Sequence, residues 1–287
     1  MTADAVGGVW SYALDLSRLL TAHGIAVVLA VMGPAPDASQ RAEAESIENL
    51  ELRHRPYDLE WFQGVSGVEI ARSSDWLRQI ASDCGADLVH LNGYAHAAAE
   101  WDVPVLVVAH SCVYSWWMSV HGASPPGEYR AYRERVVEGL QAASAVVAPS
   151  AWMLQTLRST YNVELPKSEV IPNFTYSRPE QKGKEHFILA AGRFWDPAKN
   201  LMLLDAVATR LAWPVYVAGT LEGPEGDRET AADHDLVQRG VVVDDINVLH
   251  GGRQGRKTPE AVRLPHGGGD RANFVVSHDR FIAGKDR

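Results

Sequence analysis

Two cations, Arg193 and Lys199, flank an Asp-Pro pair in the stretch Gly192-Arg193-Phe194-Trp195-Asp196-Pro197-Ala198-Lys199-Asn200. Gly192 permits a sharp exit from the apolar run before it, and Asp196-Pro197 is a helix-start signal. The spacing predicts a helix from Asp196 with Lys199 in its first turn, so that both cations converge on a helix N-terminus, a favourable place for a diphosphate. The plain alternative is a pair of solvated surface cations. Gly7 and Gly8 precede a helical pattern, and such a pair lets a ligand approach backbone amides closely; the plain alternative is a tight turn. His110-Ser111 follows a buried apolar run, where a histidine can hydrogen-bond a sugar hydroxyl or a phosphate, or simply satisfy nearby backbone. Tyr114, Trp116 and Trp117 come next. Aromatic faces stack on sugars, although packing is their commoner use, and Trp116 and Trp117 are kept as candidate acceptor contacts.

Several other patterns carry no chemistry. Asp233-His234-Asp235 has metal-site spacing but follows no buried run. His266-Gly267-Gly268-Gly269 resembles an esterase oxyanion loop, yet no Gly-x-Ser-x-Gly elbow accompanies it. Asp4 reads as a turn residue and Asp15 as a solvated helix position. Cys84 and Cys112 are the only cysteines, too few for a disulfide framework or a Cys-rich zinc site. No metal site is expected.

The elements that must position these residues are legible as apolar runs. Residues 25–31, 87–91, 103–109, 145–148, 187–191 and 215–218 are short, rich in Val, Ile and Leu, and not alternating. That is the look of parallel strands covered on both faces. Helical spacing joins Val9, Ala13, Leu16 and Leu20, with Gly24 at the stop. Ser150 can cap a helix carrying Met153, Leu154 and Leu157. Leu201, Leu204, Val207 and Leu211 form a third helical set. Strand–helix alternation of this kind implies doubly wound sheets, whose ligands bind at the carboxyl ends of the strands. The chain opens almost at once in a helix, so at most the last few residues of a first strand are expected. After about Gly223 the sequence turns polar, which predicts an incomplete second domain followed by an atypical tail, frame-shifted or disordered.

The chain has 287 residues, 46% of them hydrophobic and 22% charged. Roughly 150 residues per domain suggests about two domains, and the composition excludes wholesale disorder. The net charge of −9 speaks against nucleic-acid binding by a basic surface. No apolar run approaches the ~20 residues that span a bilayer, so any membrane contact is expected to be peripheral. No signal-peptide pattern is present, and a cytoplasmic protein is expected.

Taken together, Gly7-Gly8-Val9-Trp10, the strand-end His110, Val170-Ile171-Pro172-Asn173 and the Gly192–Asn200 stretch resemble glycosyltransferase family 4 in order and spacing. The resemblance covers about residues 1–223. It implies an α/β, GT-B-like fold of two Rossmann-like doubly wound domains, here with the second incomplete. The implied division is residues 1–172 for the acceptor-side domain, 173–223 for the start of the donor-binding domain and 224–287 for the tail. It implies transfer from a nucleotide-sugar donor to a saccharide or lipid-linked acceptor, with retention of configuration and without cofactor or metal. By resemblance His110 would contact the donor sugar as the catalytic-site histidine. Arg193 and Lys199 would neutralise the diphosphate, and Gly7 and Gly8 would lie near phosphate or acceptor. The sequence departs from the family where two glutamates eight residues apart are expected: no such pair follows Glu222. That departure leaves a second reading open, a non-catalytic remnant or weak sugar or phosphate binder.

Overall fold

The computed structural model describes residues 1–176, 186–194, 196–208, 210–213 and 215–218, together with the backbone of 242–243. The tail 224–287, Val242–Val243 apart, lies outside the described residues, and so do Trp195, the Asp233 and His266 motifs and Glu222. The chain divides into two compact units, Met1–Pro179 and Glu180–Arg287.

The first unit alternates strand and helix. Its strands are β1 (Thr2–Asp4), β2 (Val27–Met32), β3 (Leu50–Arg55), β4 (Val89–Leu91), β5 (Val105–Val108), β6 (Ala145–Ala148) and β7 (Ser168–Val170). Its helices are α1 (Gly8–Ala22), α2 (Ala38–Glu45), α3 (Gly67–Asp83), α4 (Val113–His121), α5 (Arg130–Ala142) and α6 (Ala151–Tyr161). Every ladder is parallel, in the orders β1-β2-β3 and β4-β5-β6-β7. β1 and β4 are neighbours without a ladder. Asn92, just past β4, joins them by two hydrogen bonds to Thr2, its backbone N–H donating to Oγ1 at 2.9 Å and its Nδ2 to the carbonyl at 2.7 Å. The spatial order is therefore β3-β2-β1-β4-β5-β6-β7, whose direction of winding reverses between β1 and β4.

Alternation along β2 shows that both faces are covered. Leu29 and Val31 pack with Trp10, Ala13 and Leu14 of α1, whereas Ala30 and Met32 join Leu77 and Ile80 of α3 and Val107 of β5. Successive side chains of a strand point to opposite faces, so one strand feeds two cores. The apolar faces of α5 and α6, including Val136, Leu140, Leu154 and Leu157, belong to the second core. Ser150 caps α6 through a bond from the Met153 N–H at 3.1 Å, as its sequence position predicts. Asp15 differs from expectation: it is 3% exposed, not solvated, and lies 3.5 Å from Arg18. Arg18 also pairs with Glu43 at 2.9 Å and so ties α1 to α2.

In the second unit β8 (Ile188–Ala191), β9 (Val215–Ala218) and β10 (Val242–Val243) pair in parallel in the order β10-β9-β8. Helix α7 spans Leu201–Ala208. Among the described residues of this unit, Phe194, Leu201 and Val217 form a buried cluster, with Ala190 and Leu204 packed against it. No helix among the described residues is long and apolar enough to cross a membrane.

Candidate functional site

The reversal between β1 and β4 opens a crevice at the carboxyl ends of the strands, lined by Thr2, Asp4, Val9, Glu60, Asn92 and Gly93 among others. β1 delivers Asp4, whose Oδ1 accepts the Val6 N–H at 3.0 Å and sets the turn into α1. Gly7 is the N-cap of α1 in extended backbone, without a side-chain cap. A Cβ at Gly8 would meet nothing within 4 Å. Neither glycine has the positive φ that favours its type. What Gly8 does provide is open space beside the first turn of α1, where backbone amides lack intrahelical partners.

β5 delivers His110. Its Nε2 lies 3.0 Å from Asn92 Oδ1, and the same oxygen lies 3.2 Å from Nε2 of His90 in β4. The edge of Tyr12, on α1, meets the His110 ring at a centroid distance of 4.4 Å. Burial disfavours the imidazolium, so the pKa values of His110 and His90 are both lowered to about 4. The nearby N-terminal ammonium pushes His90 the same way. Burial also raises the Tyr12 hydroxyl to about 12. At neutral pH the cluster is therefore uncharged and suited to hydrogen bonding rather than to ion pairing.

Glu60, buried, is among the residues that line the crevice. Its carboxylate accepts the Tyr94 N–H at 2.9 and 3.0 Å and the Ala95 N–H at 2.6 Å, at the start of the 3-10 turn Ala95–Ala98. Gly93 leaves it room, since a Cβ there would come 3.1 Å from Glu60 Oε1. Burial raises the pKa of this carboxyl, and the two backbone N–H groups and Arg135 oppose the rise. Among the described residues no group of three or more His, Cys, Asp or Glu is placed to hold a metal ion.

In the second unit β8 ends at Gly192 and Arg193. Asp196 accepts the Ala198 N–H at 3.0 Å and lies 4.0 Å from Arg193. The predicted continuous helix is broken. Pro197–Lys199 form a 3-10 turn, Asn200 takes the left-handed conformation at φ 47°, and α7 begins only at Leu201. Asn200 Oδ1 accepts the Leu203 N–H at 3.3 Å and serves as the cap. Lys199 therefore sits just before α7 rather than in its first turn, with its side chain lying over Gly192 at 3.4 Å from where a Cβ would be. Arg193 and Lys199 still flank the same strand exit.

Trp116 and Trp117 lie on α4 in an aromatic cluster of their own. His121 is 5.5 Å from Trp116 and 4.6 Å from Trp117, and Tyr129 is 5.8 Å from Trp117. None of these contacts joins them to the His110 network. The sequence reading did not single out Asn92, His90, Tyr12 or Glu60. The signal for Asn92 was present, because Asn92-Gly93 directly follows an apolar run, just as His110 does.

The fold defines a doubly wound α/β protein with a crevice at the switch point of a parallel sheet. The chain belongs to Glycosyltransferase Family 4, whose family model matches residues 6–175. Both units are built on parallel α/β sheets, in keeping with the GT-B-like fold class expected from the sequence. Among solved structures, the chain is similar to a glycosyltransferase from Rickettsia africae ESF-5, at 16% identity and TM-score 0.49, covering 76% of this chain and 58% of that one. It is similar to a UDP-glucosyltransferase from Polygonum tinctorium capable of glucosylating indoxyl, at 15% identity and TM-score 0.47, covering 86% and 72%. Acinetobacter baumannii MurG is similar at 16% identity and TM-score 0.42, covering 78% and 60%. The chain thus spans less than two thirds of the length of the first and third of these proteins. The curated proteins contain no match.

Proposed function

We propose that this chain carries the centre of a retaining glycosyltransferase that moves a sugar from a nucleotide-sugar donor to a saccharide or lipid-linked acceptor. The observation that carries the reading is the family match over residues 6–175, which includes the strand-end His110, 3.0 Å from the crevice-lining Asn92. In this reading His110 hydrogen-bonds the donor sugar. Gly7 and Gly8 leave the first amides of α1 open to phosphate or acceptor. Arg193 and Lys199 hold the diphosphate. The leaving group is a nucleoside diphosphate whose negative charge grows as the glycosidic bond breaks, so fixed cations and amides lower the barrier without a strong protein base. The protein supplies this without cofactor or metal, works in the cytoplasm and contacts a membrane at most peripherally.

The test is nucleoside diphosphate release by the full chain over a panel of nucleotide sugars, alone and with saccharide or lipid-linked acceptors. Lys199→Ala is expected to lower release by about 10²-fold, the scale of losing one preorganised charge-stabilising group. Unchanged release in Lys199→Ala would remove the cation from the mechanism. The missing glutamate pair after Glu222 favours a second reading, a non-catalytic sugar or phosphate binder. That reading predicts no release from any donor.

A further inference from the structure

The two ends of the Asn92 carboxamide have partners that cannot be exchanged. Nδ2 donates to the Thr2 carbonyl at 2.7 Å. Turning the amide over would set oxygen against oxygen there, so the β1 backbone fixes its orientation. Oδ1 is then directed at Nε2 of both His110 and His90, at 3.0 and 3.2 Å. An amide oxygen can only accept, so each ring must present an N–H at Nε2. A neutral imidazole protonated there keeps its lone pair on Nδ1. We propose that Asn92 is a positioning residue that locks His110 and His90 as Nε2–H tautomers, so that His110 meets a sugar hydroxyl through Nδ1 as an acceptor, not as a donor.

Burial supports this assignment, because it keeps both rings neutral at pH 7 and so gives the tautomer a meaning. As a role in sugar transfer the inference rests on the proposed function. As a statement about the two imidazoles it does not. The groups facing the pair are the Met1 N-terminus, the Tyr12 ring, the Asn92 amide and the two imidazoles themselves.

The experiment is long-range proton–nitrogen correlation NMR of the full chain, with the two rings assigned by His90→Asn and His110→Asn. In the wild type both rings are expected to show the Nε2–H pattern at pH 7. In Asn92→Leu that pattern is expected to give way to a mixture of tautomers. Thr2→Val removes the strand tie to the Asn92 N–H alone and should leave both tautomers unchanged. If Asn92→Leu does not fold, Asn92→Asp replaces the amide by a carboxylate facing both Nε2–H groups, and both rings should then titrate at higher pH than in the wild type. An Nδ1–H pattern for His110 in the wild type, an unaltered pattern in Asn92→Leu, or an unmoved titration in Asn92→Asp would overturn the inference. Donor turnover is read on the same samples. The expected tautomers without turnover would retain the assignment and remove the transfer reading, whereas turnover with the wrong tautomer would do the reverse.

Discussion

At the scale of single residues the crevice works by hydrogen bonds held in place from outside the site. His110 comes from β5, but its ring is oriented by Asn92 from the end of β4 and by the edge of Tyr12 from α1. In the proposed function, His110→Ala removes the donor-sugar contact together with one half-buried hydrogen bond. Donor turnover is expected to fall by about 10²-fold, while stability falls by only about 1 kcal/mol. Turnover assays beside urea denaturation check this, and a stability loss large enough to explain the activity loss would contradict the assignment. His110, Gly7, Gly8, Arg193 and Lys199 stand out in the sequence as candidates because each stands at the end of an apolar run or beside a helix start, and their positions there hold in the structure. Asn92 was equally well placed, but an amide carries no catalytic signature by type. Glu60 was not legible at all, because its partners Tyr94 and Ala95 are distant in sequence and donate backbone N–H groups, which sequence does not display.

At the scale of elements, α5 packs against the turn after β4, whose backbone N–H groups hold the crevice-lining Glu60. Gly139 of α5 lies against the Tyr94 carbonyl so closely that a Cβ there would overlap it. Gly139→Ala gains about 1 kcal/mol of helix propensity, but it must push α5 off a backbone group, and overpacking costs about 1–3 kcal/mol. A carbonyl held in a turn cannot swing away as a side chain can, so the overlap wins. The melting temperature is expected to fall by a few degrees, at about 2–4 °C per kcal/mol for a protein of this size. Gly67→Ala, at the start of α3 with open space around it, should leave it unchanged. Equal melting temperatures for the two variants would contradict this packing account. β5, β6, β8 and β9 were legible as continuous apolar runs. β3, with the sequence Leu50-Glu51-Leu52-Arg53-His54-Arg55, was not, because an edge strand needs only alternate apolar residues and its charges mask the pattern. The break at Asn200 was hidden because Asn tolerates the left-handed conformation without announcing it.

At the scale of the whole molecule, two buried histidines and one half-buried one make stability depend on pH. His90, His96 and His110 are each lowered from 6.5 to about 4, chiefly by burial. Below pH 6.5 the unfolded chain takes up protons on these rings that the folded chain refuses until about pH 4. The stability they confer is therefore complete above pH 6.5 and is progressively lost as pH falls towards 4. Glu60, raised by burial, works in the opposite sense. The urea midpoint is expected to be markedly lower at pH 4.5 than at pH 7.5, and a midpoint unchanged between them would contradict the burial of these rings. The alternation of strand and helix and the α/β class could be read from the sequence. The order of the strands could not, because it rests on the Asn92–Thr2 bonds that set β1 beside β4 in place of a ladder. The central claim is sugar transfer with retention, and the most direct measurement is the anomeric proton NMR signal of the first product formed by the wild-type chain from an α-linked nucleotide sugar. The account predicts an α-linked product appearing together with free nucleoside diphosphate. A β-linked product, or no nucleoside diphosphate from any donor, would contradict it.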